Sequence, residues 1–109
     1  MGTMVHGNIS VDFDDRLLTH LQIVVMQRFR RNEPLIVSWL DALSVGDGRS
    51  SIWMTPALPV YFKFAGSRVP TVDREWLRTL SESAASSTGL ILTTAEGDLA
   101  RAIGSVRIG

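Results

Sequence analysis

The chain predicts an α+β fold in two layers. A mainly antiparallel sheet, with elements in the order β-β-α-β-β-β-α-β, carries two helices on one face. Three observations lead there. Apolar and polar residues alternate at 9–13 and 60–64, and residues 50–55 put Ile52 and Met54 opposite Trp53, the period-two pattern of half-buried strands. Two longer stretches repeat their apolar residues at helical spacing behind an aspartate. The 109 residues, 45% apolar and 20% charged, suit one small domain with one core.

Ile9, Val11 and Phe13 alternate with Ser10, Asp12 and Asp14, and Gly7-Asn8 precedes them, so residues 3–6 and 9–13 are expected to pair as a hairpin. Asp14 or Asp15 caps a helix running to about Arg31, and Pro34 closes that region. Leu17, Leu21, Val24, Val25 and Arg28 fall on one face, flanked by Leu18 and Phe29, with Arg16, His20, Gln27 and Arg31 largely away from it. An acidic start and an end at Arg28, Arg30 and Arg31 complement the helix dipole. Leu35–Leu40 reads as a buried strand, and Asp47-Gly48 as the turn into a return strand at Ser50–Thr55. With Val60–Phe64, these strands are expected to form a meander. Asp73, or Thr71, caps a second helix with Trp76, Leu80 and Ala84 on one face, stopped at Ser86-Ser87-Thr88-Gly89. Leu90–Thr94 is a last strand. The domain is thus expected to span 1–94. Residues 95–109 lack clear periodicity and are expected as a short helix around Leu99–Ile103 or a loose tail.

The 11 basic and 11 acidic residues balance to zero net charge. That argues against a globally basic nucleic-acid binder and against a polybasic membrane anchor. With no cysteine, disulfides, thiolate metal sites and a cysteine nucleophile are excluded. The first residues lack the apolar segment of a secretion signal, and no apolar run is long enough to cross a membrane, so a cytoplasmic address is expected.

No chemical constellation stands out, and no catalytic residue, metal or cofactor is assigned. Asp12, Asp14 and Asp15 cluster, but helix capping accounts for two of them. His6, His20 and Asp12 would bind a metal only if strand and helix brought them together, and no two-histidine spacing supports this. The Gly46-Asp47-Gly48-Arg49 loop lacks the lysine and the spacing of a phosphate loop. Asp47 and Arg49 would act on a small phosphorylated or acidic substrate only if the loop lined a pocket. Arg28, Arg30 and Arg31, with Arg49, are the residues that would grip a nucleic acid. Trp39, Trp53 and Tyr61 are assigned to the outer sheet face, where exposed aromatics mark a contact surface.

Several segments together resemble a family: Val11-Asp12-Phe13-Asp14-Asp15-Arg16, then Ser38-Trp39, then Ser44-Val45-Gly46-Asp47-Gly48-Arg49-Ser50-Ser51-Ile52-Trp53, then Arg74-Glu75-Trp76. The chain is similar over about residues 1–94 to uncharacterised actinobacterial proteins of roughly a hundred residues, which often carry the label ATP-dependent DNA ligase. Where that family is expected to have Tyr, this chain has His6. The ligase label implies a lysine in K-x-D-G that attacks ATP. Val45 stands at that lysine's place, and the single lysine, Lys63, lies in no such motif. The expected function is therefore a non-catalytic domain acting through self-association, such as a homodimer, or through a protein partner. A nucleic-acid-binding accessory, without ligase chemistry, is the alternative.

Overall fold

The computed structural model describes residues 1–107. Seven strands form one open, mostly antiparallel sheet, and two helices cover one of its faces. The hairpin of β1 (Gly2–His6) and β2 (Ile9–Phe13) forms as expected, with Gly7 supplying the positive φ of 62° that its turn requires. Helix α1 (Asp15–Arg30) starts at Asp14, whose carboxylate accepts from the Leu17 N–H at 3.3 Å. Its end is fixed by Asn32 and not by Pro34. Asn32 sits at φ 59°, its N–H donates to the Phe29 carbonyl, and the Glu33 N–H reaches back to Arg28. This is a Schellman closure with asparagine in the left-handed position.

Strand β3 (Leu35–Asp41) pairs antiparallel with β4 (Arg49–Met54) through a loop that contains a 3-10 turn at Leu43–Val45. The expected meander stops there. Residues 55–59, with Pro56 and Pro59, carry the chain to the other side of the sheet. There β5 (Val60–Lys63) pairs with β1. In that place Phe62 lies beside Met4 and Val60 beside His6, so both residues pack against the main core. The two edge strands are thus β4 and β5, with spatial order β4-β3-β7-β2-β1-β5.

Helix α2 (Arg74–Ala85) begins at Asp73, which accepts from the Trp76 N–H at 3.1 Å, and it buries Trp76, Leu80 and Ala84. Gly89 follows at φ 77°, where an added Cβ would lie 2.8 Å from the Ile36 carbonyl oxygen. Only glycine fits that close approach. Strand β6 (Leu90–Ile91) then runs parallel to β3 at Val37 and Ser38. The chain leaves the sheet for an excursion bridged at Thr93 and Leu99, and returns when Leu40 donates to the Ala100 carbonyl at 3.0 Å.

The segment expected as a short helix or loose tail is instead strand β7 (Arg101–Val106); residues 108–109 lie outside the described residues. It is parallel to β3 at Leu40–Asp41 and antiparallel to β2 over 103–106, so it joins the two halves of the sheet. Its inner positions explain why it is faint in the sequence. Ala100 and Ala102 are buried, and Gly104 faces Trp39, whose Cζ2 lies 3.2 Å from where a Cβ would be. Small residues give no hydrophobic periodicity, yet they let large neighbours close over the strand.

The core lies between the helices and the inner sheet face. Met4, Val11, Phe13, Val37 and Met54 from the sheet meet Leu18, Leu21 and Val24 of α1 and Leu80 of α2. His20, expected on the polar side of α1, is fully buried. Helix α2 packs over that side and turns it into an internal surface.

Candidate functional site

Among the described residues, the outer sheet face carries no helix. Strand register places on it Ile36, Ser38 and Leu40 of β3, Arg49, Ser51 and Trp53 of β4, and Tyr61 and Lys63 of β5. Trp39 is not among them. It is 4% exposed, points inward, and meets Phe13 edge to face with ring centroids 5.9 Å apart. The run Leu35–Leu40 offers only Ser38 as a polar marker of parity, which is why its faces were hard to assign from sequence. Trp53 and Tyr61 are exposed at 62% and 60%. They stand on opposite edges of the sheet, about 24 Å apart at the usual strand spacing, so the three aromatics do not form one patch.

A groove of about 460 Å³ runs along this face near the β4 edge. Ile36, Ile91 and Leu99 give it apolar walls, and Arg49 and Ser51 form its rim on β4. The Ser38 and Ser51 hydroxyls are hydrogen-bonded to each other at 2.8 Å. Ile36, Ile91 and Leu99 escaped the sequence reading. The signal available was the parity of β3: with Leu35, Val37 and Trp39 inward, Ile36 and Leu40 must face out.

The arginines are dispersed. Arg28 is paired with Glu33, while Arg30 and Arg31 are exposed at the end of α1. Arg49 lies beside Leu40, and Leu35 begins β3 at the α1 end, so about 17 Å of strand separates Arg49 from the other three. Arg16, at the opposite end of α1, pairs with Asp73 at 3.7 Å and lies over the Trp76 ring at 5.2 Å. In the Gly46-Asp47-Gly48-Arg49 loop, Gly46 takes φ 128° and Gly48 accepts from the Asp41 N–H. Asp47 faces Arg101 at 3.6 Å, so only Arg49 of this loop lines the groove.

The histidines and aspartates serve the fold. His20 Nδ1 donates to the Arg16 carbonyl at 2.7 Å, and its Nε2 accepts from the Asp73 N–H at 2.9 Å. One buried ring thereby joins α1 to the cap of α2. His6 accepts from the Thr55 N–H at 3.1 Å, and its Nδ1 is buried without a hydrogen-bond partner. Burial lowers its pKa below the ordinary 6.5, and the nearby Pro59 carbonyl opposes that shift in part. Asp12 accepts from the Thr3 hydroxyl at 2.7 Å on the outer face, away from both histidines. Asp15 accepts from the Gly66 N–H at 3.0 Å and the Ala65 N–H at 3.1 Å. These two bonds, Gly66 first, hold its pKa below the usual carboxylate value, aided by the amino terminus and opposed by burial. Among the described residues no group of three or more such side chains is placed to hold a metal ion. No helix among them is long and apolar enough to cross a membrane.

No curated protein and no solved structure matches the chain. A family model does match, over residues 1–95, from β1 through β6 and into the excursion before β7. Since that match takes in both helices and all the strands but the last, the chain belongs to the family described as Domain of unknown function (DUF7882).

Proposed function

We propose that this domain is a non-catalytic interaction module that associates with a second copy of itself through the sheet face and edge around Trp53. The observation that carries this reading is the placement of Trp53. It is a large aromatic exposed on an unpaired edge strand, beside an apolar groove, on the sheet face that no helix covers. Exposed aromatic surface of this kind is typical of contact sites. The polar side chains with catalytic potential are engaged elsewhere: His20, Asp73 and Asp15 hold backbone groups, and Asp47 faces Arg101.

Nucleic-acid binding, in the sense of the ligase label, is the alternative, but the dispersal of Arg28, Arg30, Arg31 and Arg49 gives it no continuous basic track. Light scattering across a concentration series tests the main reading. A mass of two chains that Trp53→Ala reduces and Tyr61→Ala leaves intact supports it. A single-chain mass throughout, with salt-sensitive binding of labelled DNA, would replace it with the alternative.

A further inference from the structure

The backbone of β4 alternates in direction, and the hydrogen bonds fix which residues point where. The Asp41 N–H donates to the Gly48 carbonyl at 2.9 Å, one step beyond the Leu40–Arg49 couple that ends the β3–β4 register. In an antiparallel pair every second opposed couple exchanges bonds. Ser50, Ile52 and Met54 therefore face β3, where they oppose Trp39, Val37 and Leu35. On the other side of β3 the Ser38 carbonyl and the Leu40 N–H bond to Leu92 and Ala100, which agrees with this alternation. Arg49, Ser51 and Trp53 are left with their N–H and C=O groups directed at the open edge.

The two edges of the sheet differ in how they are guarded. β5 is four residues long, follows Pro59, and ends in the exposed Lys63. Short length, proline and lysine are the usual devices against edge pairing. β4 is six residues long and contains no proline, lysine or glycine. Its single charged residue is Arg49, at its first position.

Resting on the self-association proposed above, we infer that the partner of β4 is β4 of a second copy, antiparallel about a two-fold axis at Ser51. Parity selects this register. Bonded couples must join outward-directed residues, so Arg49, Ser51 and Trp53 pair among themselves. Centring on Ser51 uses all three, with Arg49 opposite the partner's Trp53, Ser51 opposite its equivalent, and about six backbone hydrogen bonds formed. Shifting the centre by one residue leaves only two such couples within the strand and sets Trp53 opposite Asp47 or Arg49 opposite Thr55. The same register supplies complementary side chains on the outer face. Each Arg49 guanidinium lies over an indole of the other copy, at the rim of the apolar groove, in a cation–π pair. The symmetry repeats that pair, and the sheets of both copies become one continuous sheet.

Four variants and a mass measurement test this. Ser51→Pro removes the outward N–H at the centre and leaves the bonds to β3 in place, since proline is tolerated on an edge strand. The chain has no cysteine, so Ser51→Cys introduces a unique thiol on the axis, with Thr79→Cys on exposed α2 as control. The expected results are a wild-type dimer, a folded Ser51→Pro monomer, and bismaleimide cross-linking of Ser51→Cys far faster than of Thr79→Cys. Trp53→Ala is expected to weaken the dimer about tenfold through loss of both cation–π pairs. A monomeric wild type overturns both the inference and the reading beneath it. A wild-type dimer whose Ser51→Cys form cross-links no faster than the control overturns this interface alone. So does a folded Ser51→Pro dimer. If Ser51→Pro fails to fold, the cross-linking rates decide.

Discussion

His20 of α1 lies against Trp76 of α2, with ring centroids 4.3 Å apart and planes inclined by 30°. The same imidazole accepts the Asp73 N–H that opens α2, so one side chain both stacks the helices and closes the cap between them. Arg16 lies over the Trp76 ring as well. His20→Ala removes the packing and leaves a backbone N–H without its partner. The expected loss of stability is about 3 kcal/mol, read by urea denaturation.

Gly89 and Gly46 both have positive φ but differ in surroundings. An added Cβ at Gly89 meets Ile36 Cγ2 as well as its carbonyl oxygen, whereas at Gly46 nothing lies within 4 Å. Gly89→Ala is expected to cost about 3 kcal/mol or more, since strain and collision add. Gly46→Ala is expected to cost about 1–2 kcal/mol, from strain alone. Equal costs in thermal denaturation would mean that Ile36 yields freely to a Cβ at residue 89.

His6 has a folded-state pKa below its unfolded value of 6.5. The unfolded chain therefore takes up a proton at higher pH than the folded one. The neutral imidazole's contribution to stability is fully present above pH 6.5 and is lost as pH falls through that value toward the folded pKa. His6→Gln keeps an acceptor for the Thr55 N–H but does not titrate. Urea midpoints from neutral to mildly acidic pH should fall for the wild type and flatten for the variant.

Asp15 ties the first turn of α1 to the loop after β5. Its pKa is depressed from 3.8, so its contribution is present above that pH and lost as pH falls through the folded value. Asp15→Asn is expected to speed amide exchange at Ala65 and Gly66 and to weaken the acid dependence of stability. Unchanged exchange at both amides would show that the loop holds without the carboxylate.

Strand β7 lies between β2 and β3, beyond the residues that match the family model. Ending the chain after residue 95 removes the strand that bonds the two halves of the sheet. That truncation is expected to abolish a cooperative unfolding transition, as seen by circular dichroism.

The helices and the first hairpin were legible in the sequence because local signals define them: the aspartate caps, the Leu17–Leu21–Val24 and Trp76–Leu80–Ala84 stripes, and Gly7-Asn8. What depends on distant contacts was not. β5 leaves its sequence neighbour β4 because β1 offers Met4 and His6 as partners. β7 hides because its inner residues are small, and His20 is buried only because α2 covers it. At the candidate site, exposure of Trp53 and Tyr61 was readable from alternation. The inward turn of Trp39 and the groove beside Ile91 and Leu99 required the pairing of β3 with β4 and β6.

Residue-resolved amide exchange at low and high protein concentration tests the association through β4 most directly. The amides of Arg49, Ser51 and Trp53 face the open edge, so they should exchange fast in dilute solution and become protected as concentration rises. The amides of β5, on the other edge, should not change. Protection at β5 instead, or fast exchange at all three β4 amides in a concentrated sample, would contradict the account.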